Sequence, residues 1–261
     1  MTEIKAKKSL GQNFLNDENV LKNIADSITT TNQDLIIEVG PGKGALTKYL
    51  LKKDAYLVCY EVDLRLKNIL ATYQNEKAKI IYQDFLQSDI LEDTKDMIYQ
   101  DVYMIANIPY YITTPIIKKA INIPKLKAMT LLVQKEVAER LTAKPGMKAN
   151  GSLTLFLNYY FQIDYLFQVK NTCFTPVPKV DSAVVLFNKK EEPKVINKEH
   201  LFQLIEDAFR LKRKTLRNNL KDYDWNIIKS VLESHQLSLA VRAEELSLDI
   251  FIEISDKLNS Y

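Results

Sequence analysis

Between residues 35 and 133 the apolar positions gather in short runs, 35–39, 56–60, 78–82, 102–106 and 128–133, with Glu38, Lys79 and Thr130 the polar residues inside them. Between these runs apolar residues recur every three or four positions. Short runs bounded by polar turns read as buried strands, and the recurrence between them reads as helices. Alternation of the two gives a parallel sheet flanked by helices. Before the first strand, Val20, Leu21, Ile24 and Ala25 share one face of a helix that Asn16 or Asp17 caps. Thr113, Thr114 and Pro115 open another, carried by Ile116, Ile117, Ala120 and Ile121. The segments 153–160 and 162–169, rich in Leu, Phe and Tyr, read as a core helix and a core strand. The polar loop 142–152 reads as mobile. After a charged, proline-containing stretch strand periodicity ends. Stripes at Leu201, Leu204, Ile205 and Ala208, at Trp225, Ile228, Val231 and Leu232, and at Leu246, Ile250, Phe251 and Ile254 predict helices, the first continuing into a basic segment. The expected organisation is a sheet domain over 1–188 with a basic arm at 1–16, a linker at 189–196 and a small helical domain over 197–261.

The first strand stops at Glu38 and breaks into Gly40-Pro41-Gly42-Lys43-Gly44, with a helical pattern following. Glycine in such a turn supplies positive φ and lets a ligand approach the backbone. A dinucleotide fingerprint needs two residues between its second and third glycines, and here there is one. Acid-x-Gly-x-Gly-x-Gly instead resembles the S-adenosylmethionine loop of Rossmann-like methyltransferases. The second strand ends in Glu61, whose carboxylate can accept both hydroxyls of a ribose. The third ends near Asp84, placed to accept from an adenine amino group. Open α/β sheets hold ligands at the carboxyl ends of their strands, so these residues outline one nucleoside-shaped site.

The fourth strand ends in Asn107-Ile108-Pro109-Tyr110, which resembles the motif of methyltransferases acting on base amino groups. An exocyclic adenine amine is a poor nucleophile because its lone pair is delocalised into the ring. It needs acceptors on its hydrogens as charge develops on nitrogen. The Asn107 side-chain oxygen and the Ile108 carbonyl, in a backbone stiffened by Pro109, supply two, and Tyr110 offers a stacking face. Phe174, in a loop stiffened by Pro176 and Pro178, can form the opposite wall.

Composition narrows the possibilities. Cys59 and Cys173 are the only cysteines and His200 and His235 the only histidines, which disfavours a disulfide framework, a zinc site and a thiol nucleophile, and no metal is expected. No apolar run reaches membrane-spanning length and no signal-peptide pattern is present, so a cytoplasmic location without a membrane partner is expected. Net charge is only +3, yet cations cluster: Lys5, Lys7 and Lys8 in the arm, and Arg210, Lys212, Arg213, Lys214 and Arg217 after the first C-terminal helix. Such clusters, with Lys179, suit a polyanion.

Gln12-Asn13-Phe14-Leu15, the Glu38 to Gly44 loop, Asn107 to Tyr110, Phe174 to Val185, Lys212 to Leu220 and Arg242 to Ser247 occur in an order that resembles the ribosomal RNA adenine dimethylase family, and within it the bacterial small-subunit, kasugamycin-sensitivity group. The resemblance covers nearly the whole chain. It implies transfer of four methyl groups from S-adenosylmethionine, with S-adenosylhomocysteine as product, to N6 of two adjacent adenines in the 3′-terminal hairpin of 16S rRNA in a small-subunit assembly intermediate. It implies donor contacts at Asn13, Leu15, Gly40, Gly42, Glu61, Asp84 and Asn107, and a catalytic wall of Asn107, Ile108, Pro109, Tyr110 and Phe174. A monomer is expected. Ile108 stands where this group usually has Leu, a spelling shared with the sister macrolide-resistance dimethylases of 23S rRNA. Gly11, the Lys179 to Val185 stretch and the C-terminal motifs favour the small-subunit group. An RNA-binding assembly factor with incidental methylation and a dinucleotide oxidoreductase are the alternatives.

Overall fold

The computed structural model describes residues 4–7, 10–107 and 112–260. In chain order the elements are β1 (Phe14–Leu15), α1 (Glu18–Asp26), β2 (Leu35–Val39), α2 (Thr47–Leu50), β3 (Tyr56–Tyr60), α3 (Lys67–Leu70), β4 (Ala78–Ile81), α4 (Ile90–Asp93), β5 (Val102–Asn107) and α5 (Thr113–Ile121). They continue with β6 (Leu126–Gln134), α6 (Lys135–Leu141), α7 (Ser152–Tyr160), β7 (Phe161–Val169), β8 (Phe174–Thr175), β9 (Ser182–Lys189), α8 (Lys198–Ala208), α9 (Leu216–Asn219), α10 (Trp225–Ser234) and α11 (Leu248–Asn259).

Seven strands form one sheet in the order β4-β3-β2-β5-β6-β9-β7. The pairs β2/β3, β2/β5, β3/β4 and β5/β6 are parallel, and β9 runs antiparallel to β6. The order reverses on the two sides of β2, where a crevice opens at the carboxyl ends of the strands. Every residue of β2 is buried, Glu38 included, which explains why the strand is otherwise apolar: a central parallel strand is covered on both faces. Asp17 is the residue that caps α1, accepting from the Val20 N–H at 3.0 Å. Asn16 instead donates its side-chain amide to Thr175 Oγ1 at 2.7 Å.

The chain divides into two compact units, Met1–Ala138 with Ile163–Lys189, and Glu139–Gln162 with Lys190–Tyr261. Residues 139–162, assigned from the sequence to the sheet domain, therefore pack in the second unit. The reason is aromatic: Phe202 of α8 is met by Phe156 at 4.9 Å and by Tyr159 at 5.2 Å, both from α7. The 142–152 loop, expected to be mobile, is tied within that unit and gives way to α7 at Ser152. Gly146 donates its N–H to the Glu244 carbonyl at 2.9 Å, and the Asn150 side chain reaches the same carbonyl at 2.9 Å.

Two further expectations are corrected. β7 is the edge of the sheet, and only its ends, Phe161 and Val169, are buried. It is aromatic without being a core strand, because an edge strand has a single sheet neighbour. The stripe of α8 does not run into the basic segment. The helix stops at Ala208, and Arg213 takes a left-handed φ of 67° that no helix tolerates. Buried Asn219 folds the segment back, donating to the Ala208 carbonyl at 2.7 Å and accepting from the Leu211 N–H at 3.1 Å.

Candidate active site

A cavity of about 360 Å³ lies at the carboxyl ends of β2, β3 and β5, bordered by Gly40, Gly42, Glu61, Asp84 and Asn107 together with Asn13, Leu15 and Phe174. Every described residue expected to hold the donor or wall the acceptor thus meets in one place. Ile108, Pro109 and Tyr110 of the expected catalytic wall, and Lys8 of the basic arm, lie outside the described residues.

The loop after β2 shapes the floor. Gly40, Gly42 and Gly44 all have positive φ, but they are glycines for different reasons. A Cβ on Gly40 would stand 3.5 Å from the Asn107 carbonyl, in ordinary contact, so positive φ is the main constraint there. A Cβ on Gly42 would press on the Phe14 ring at 3.3 Å. Gly44 faces away from ligand chemistry: a Cβ there would sit 2.2 Å from the Tyr73 ring. The third glycine of the motif therefore accommodates a neighbouring aromatic, a role the sequence motif does not reveal.

Glu61, at the end of β3, is 4% exposed and fixed by two backbone donors. Gly42 donates at 3.0 Å to one carboxylate oxygen and Asp63 at 2.8 Å to the other. Burial raises this carboxyl above its ordinary pKa, while the Asp63 and Gly42 N–H groups oppose that rise. Each oxygen keeps a lone pair for a ribose hydroxyl. Val62, next in the chain, lines the cavity and is 50% exposed, an apolar face on which an adenine ring can rest. The sequence reading missed it, although its place directly after the strand-end acid was a usable signal. Asp84 spends one carboxylate oxygen on the Leu86 N–H at 2.9 Å, and its second oxygen carries the remaining acceptor capacity.

The arm closes the site from the other side. β1 pairs antiparallel with β8, setting Phe14 opposite Thr175 and Leu15 opposite Phe174. Lys43 lies 4.9 Å from the centre of the Phe14 ring. Gln12 donates to Asp63 at 2.9 Å and accepts from the Lys7 N–H at 2.8 Å. Asp63 is also paired with Arg65 at 2.6 Å, and that guanidinium above all holds its carboxyl down to about 2.

Beneath the loop, Glu38 is buried and accepts from Thr47 Oγ1 at 2.7 Å and Cys59 Sγ at 3.4 Å. Desolvation dominates and pushes its carboxyl up to about 7, although both hydrogen bonds pull the other way.

The remaining expected residues are cationic and on the surface. Lys5, Lys7 and Lys179 are exposed in the first unit. In the second, Arg210, Lys212, Arg213, Lys214 and Arg217 are exposed, with Arg210 3.6 Å from Asp207 and Arg217 5.5 Å from the Trp225 ring centre. Among the described residues there is no cluster of three or more metal-ligating side chains, and no helix is long and apolar enough to cross a membrane.

The profile of the ribosomal RNA adenine dimethylase family matches residues 3–260. The chain belongs to this family. The dimethylase is 38% identical to Ribosomal RNA small subunit methyltransferase A of Enterococcus faecalis, over 97% of this chain and 90% of that protein. It is 40% identical to the protein of that name from Bacillus pumilus, over 97% and 91%. Among solved structures, the dimethyladenosine transferase of Plasmodium falciparum has a TM-score of 0.75 at 25% identity, covering 92% of this chain and 95% of that one. The 23S rRNA methyltransferase ErmE has a TM-score of 0.77 at 23% identity, covering 95% and 100%, and shares the fold. Family membership makes the dimethylase an S-adenosylmethionine-dependent enzyme of ribosomal RNA, and the cavity fits that donor. Fixed Glu61 and the apolar face of Val62 match a nucleoside, beside a glycine turn that brings backbone close to Phe14.

Proposed function

We propose that this dimethylase places two methyl groups on N6 of each of two adjacent adenines in the 3′-terminal hairpin of 16S rRNA, late in small-subunit assembly, working as a cytoplasmic monomer. The observation that carries the reading is the convergence of Gly40, Glu61, Asp84 and Asn107 on one cavity, at the sheet position where a nucleoside donor and a base amine can meet. The choice of the small subunit is supported by 38–40% identity over 97% of the chain to proteins named for it.

S-adenosylmethionine supplies an electrophilic methyl group. Glu61 would hold the donor through its ribose and Asp84 through the adenine amine, and Asn13 and Leu15 would close over it from the arm. The Asn107 side-chain oxygen accepts one hydrogen of the target N6 and turns the nitrogen toward the donor pocket. As the N–C bond forms and the methyl–sulfur bond breaks, with S-adenosylhomocysteine as the leaving group, positive charge would grow on nitrogen; the Asn107 oxygen and the Ile108 carbonyl would stabilise it until the N6 proton passes to solvent. Buried Phe174 and apolar Leu15 exclude water from the reacting side.

The test is transfer of labelled methyl groups to small-subunit particles lacking these modifications, with methylated particles and large-subunit RNA alongside. Label in N6,N6-dimethyladenine of the unmethylated small subunit alone is expected. Label in 23S rRNA would reassign the substrate, and binding without label would leave an assembly factor.

A further inference from the structure

The segment that follows the acceptor wall is exposed and apolar where a solvated loop would be polar. Val177 is 60% exposed and Val180 46% exposed, with Lys179 exposed between them. The loop is held at both ends. The Asn171 side chain donates to the Pro178 carbonyl at 3.1 Å, and its backbone N–H donates to Asp181 at 2.9 Å. Gln168 donates to the other Asp181 oxygen at 2.7 Å, and the Asp181 carbonyl accepts from the Lys135 N–H at 3.0 Å. The backbone on either side of Lys179 and Val180 is thus anchored, at Pro178 and at Asp181.

Their position relative to the cavity is bounded by the chain. Phe174 lines the cavity, and Val177 and Val180 follow it by three and six residues, so their Cα atoms lie within about 11 Å and about 22 Å of it. That is the range of the nucleotides flanking a target base. No acid occurs from Thr175 to Val180, and exposed Lys170 and Lys179 add positive charge beside the valines.

We propose that Val177 and Val180 form a ridge that packs against the RNA bases flanking the extruded adenine, while Lys179 contacts the adjoining phosphate. Extrusion of a base uncovers the faces of its neighbours, and aliphatic side chains inserted there offset the lost stacking. The ridge follows the wall residue Phe174 in the chain, and the exposed lysines beside it complement a phosphate backbone, which selects RNA over a protein partner. The inference rests on the function proposed above.

The experiment compares the unmutated enzyme with Val177→Ser/Val180→Ser, Val177→Ile/Val180→Ile and Lys179→Gln on unmethylated small-subunit particles. Both valines are exposed, so thermal midpoints are expected to stay put. The serine pair is expected to lower kcat/KM for particles about tenfold with the KM for S-adenosylmethionine and the salt dependence unchanged. The isoleucine pair is expected to retain activity, and Lys179→Gln to reduce the salt slope by about one. Unchanged kcat/KM in the serine pair would overturn the ridge, as would a matching loss of donor affinity, which would place the valines in support of the donor site. No transfer by the unmutated enzyme would overturn the functional reading itself, and the ridge with it.

Discussion

At the scale of single residues, the buried Glu38 carboxyl carries a pH signature that reaches neutrality. Its carboxyl is raised to about 7 in the folded protein and takes an ordinary value near 4.5 once unfolded. The folded state therefore binds the extra proton, so its advantage is present below the unfolded pKa and is lost as pH rises from 4.5 through 7. The loss amounts to about 3 kcal/mol. Glu38→Gln, which keeps an acceptor for Thr47, is expected to remove this component, seen as a flatter urea midpoint between pH 4.5 and 8. Gly44→Ala is expected to destabilise the fold by ~3 kcal/mol through positive φ and the Tyr73 contact. Adding Tyr73→Ala should recover the steric part in a double-mutant cycle. Asn107→Ala is expected to lower kcat at least a hundredfold with RNA affinity retained, measured by single-turnover transfer and particle binding.

Elements show how far local pattern carries. The strands that deliver Glu38, Glu61 and Asn107 were legible because each is a bounded, mainly apolar run, and parallel pairing then brings their ends together whatever the distance in sequence. What pattern leaves out is the partner of each element. The Phe and Tyr residues of α7 and β7 look alike, yet one packs into an aromatic cluster with Phe202 and the other lies at a sheet edge. The contacts of Tyr73 with Gly44, and of Thr47 and Cys59 with Glu38, are likewise non-local and leave no periodic trace. The arm gives the clearest elemental test. Gln12→Ala removes the Gln12–Asp63 bond while leaving Glu61 in place, and a hydrogen bond to a charged group contributes about 1.5 to 3 kcal/mol. Donor affinity is expected to fall roughly tenfold by calorimetry, with kcat at saturating donor little changed.

For the molecule as a whole, the uneven distribution of charge sets the behaviour toward a polyanion. Arg213→Gln/Lys214→Gln/Arg217→Gln is expected to weaken particle binding and reduce the slope of log affinity against log salt by about two to three, with donor binding untouched. Arg217 also lies over Trp225, so a thermal midpoint for the triple variant separates lost phosphate contacts from lost packing. An unchanged salt slope would make the segment a solvated face.

The pairing of β1 with β8 has a consequence for biosynthesis. Asn16 and Thr175 are 159 positions apart, yet they join the two strands that close the donor cavity. Closing so long a loop is slow, and it has to wait until both partners exist. A nascent chain can complete β2 to β6 and their parallel pairing while its own beginning still has nothing to pair with. The cavity is finished only after residue 175 leaves the ribosome, so the growing protein acquires its cofactor grip later than the parallel strands that carry the glycine loop.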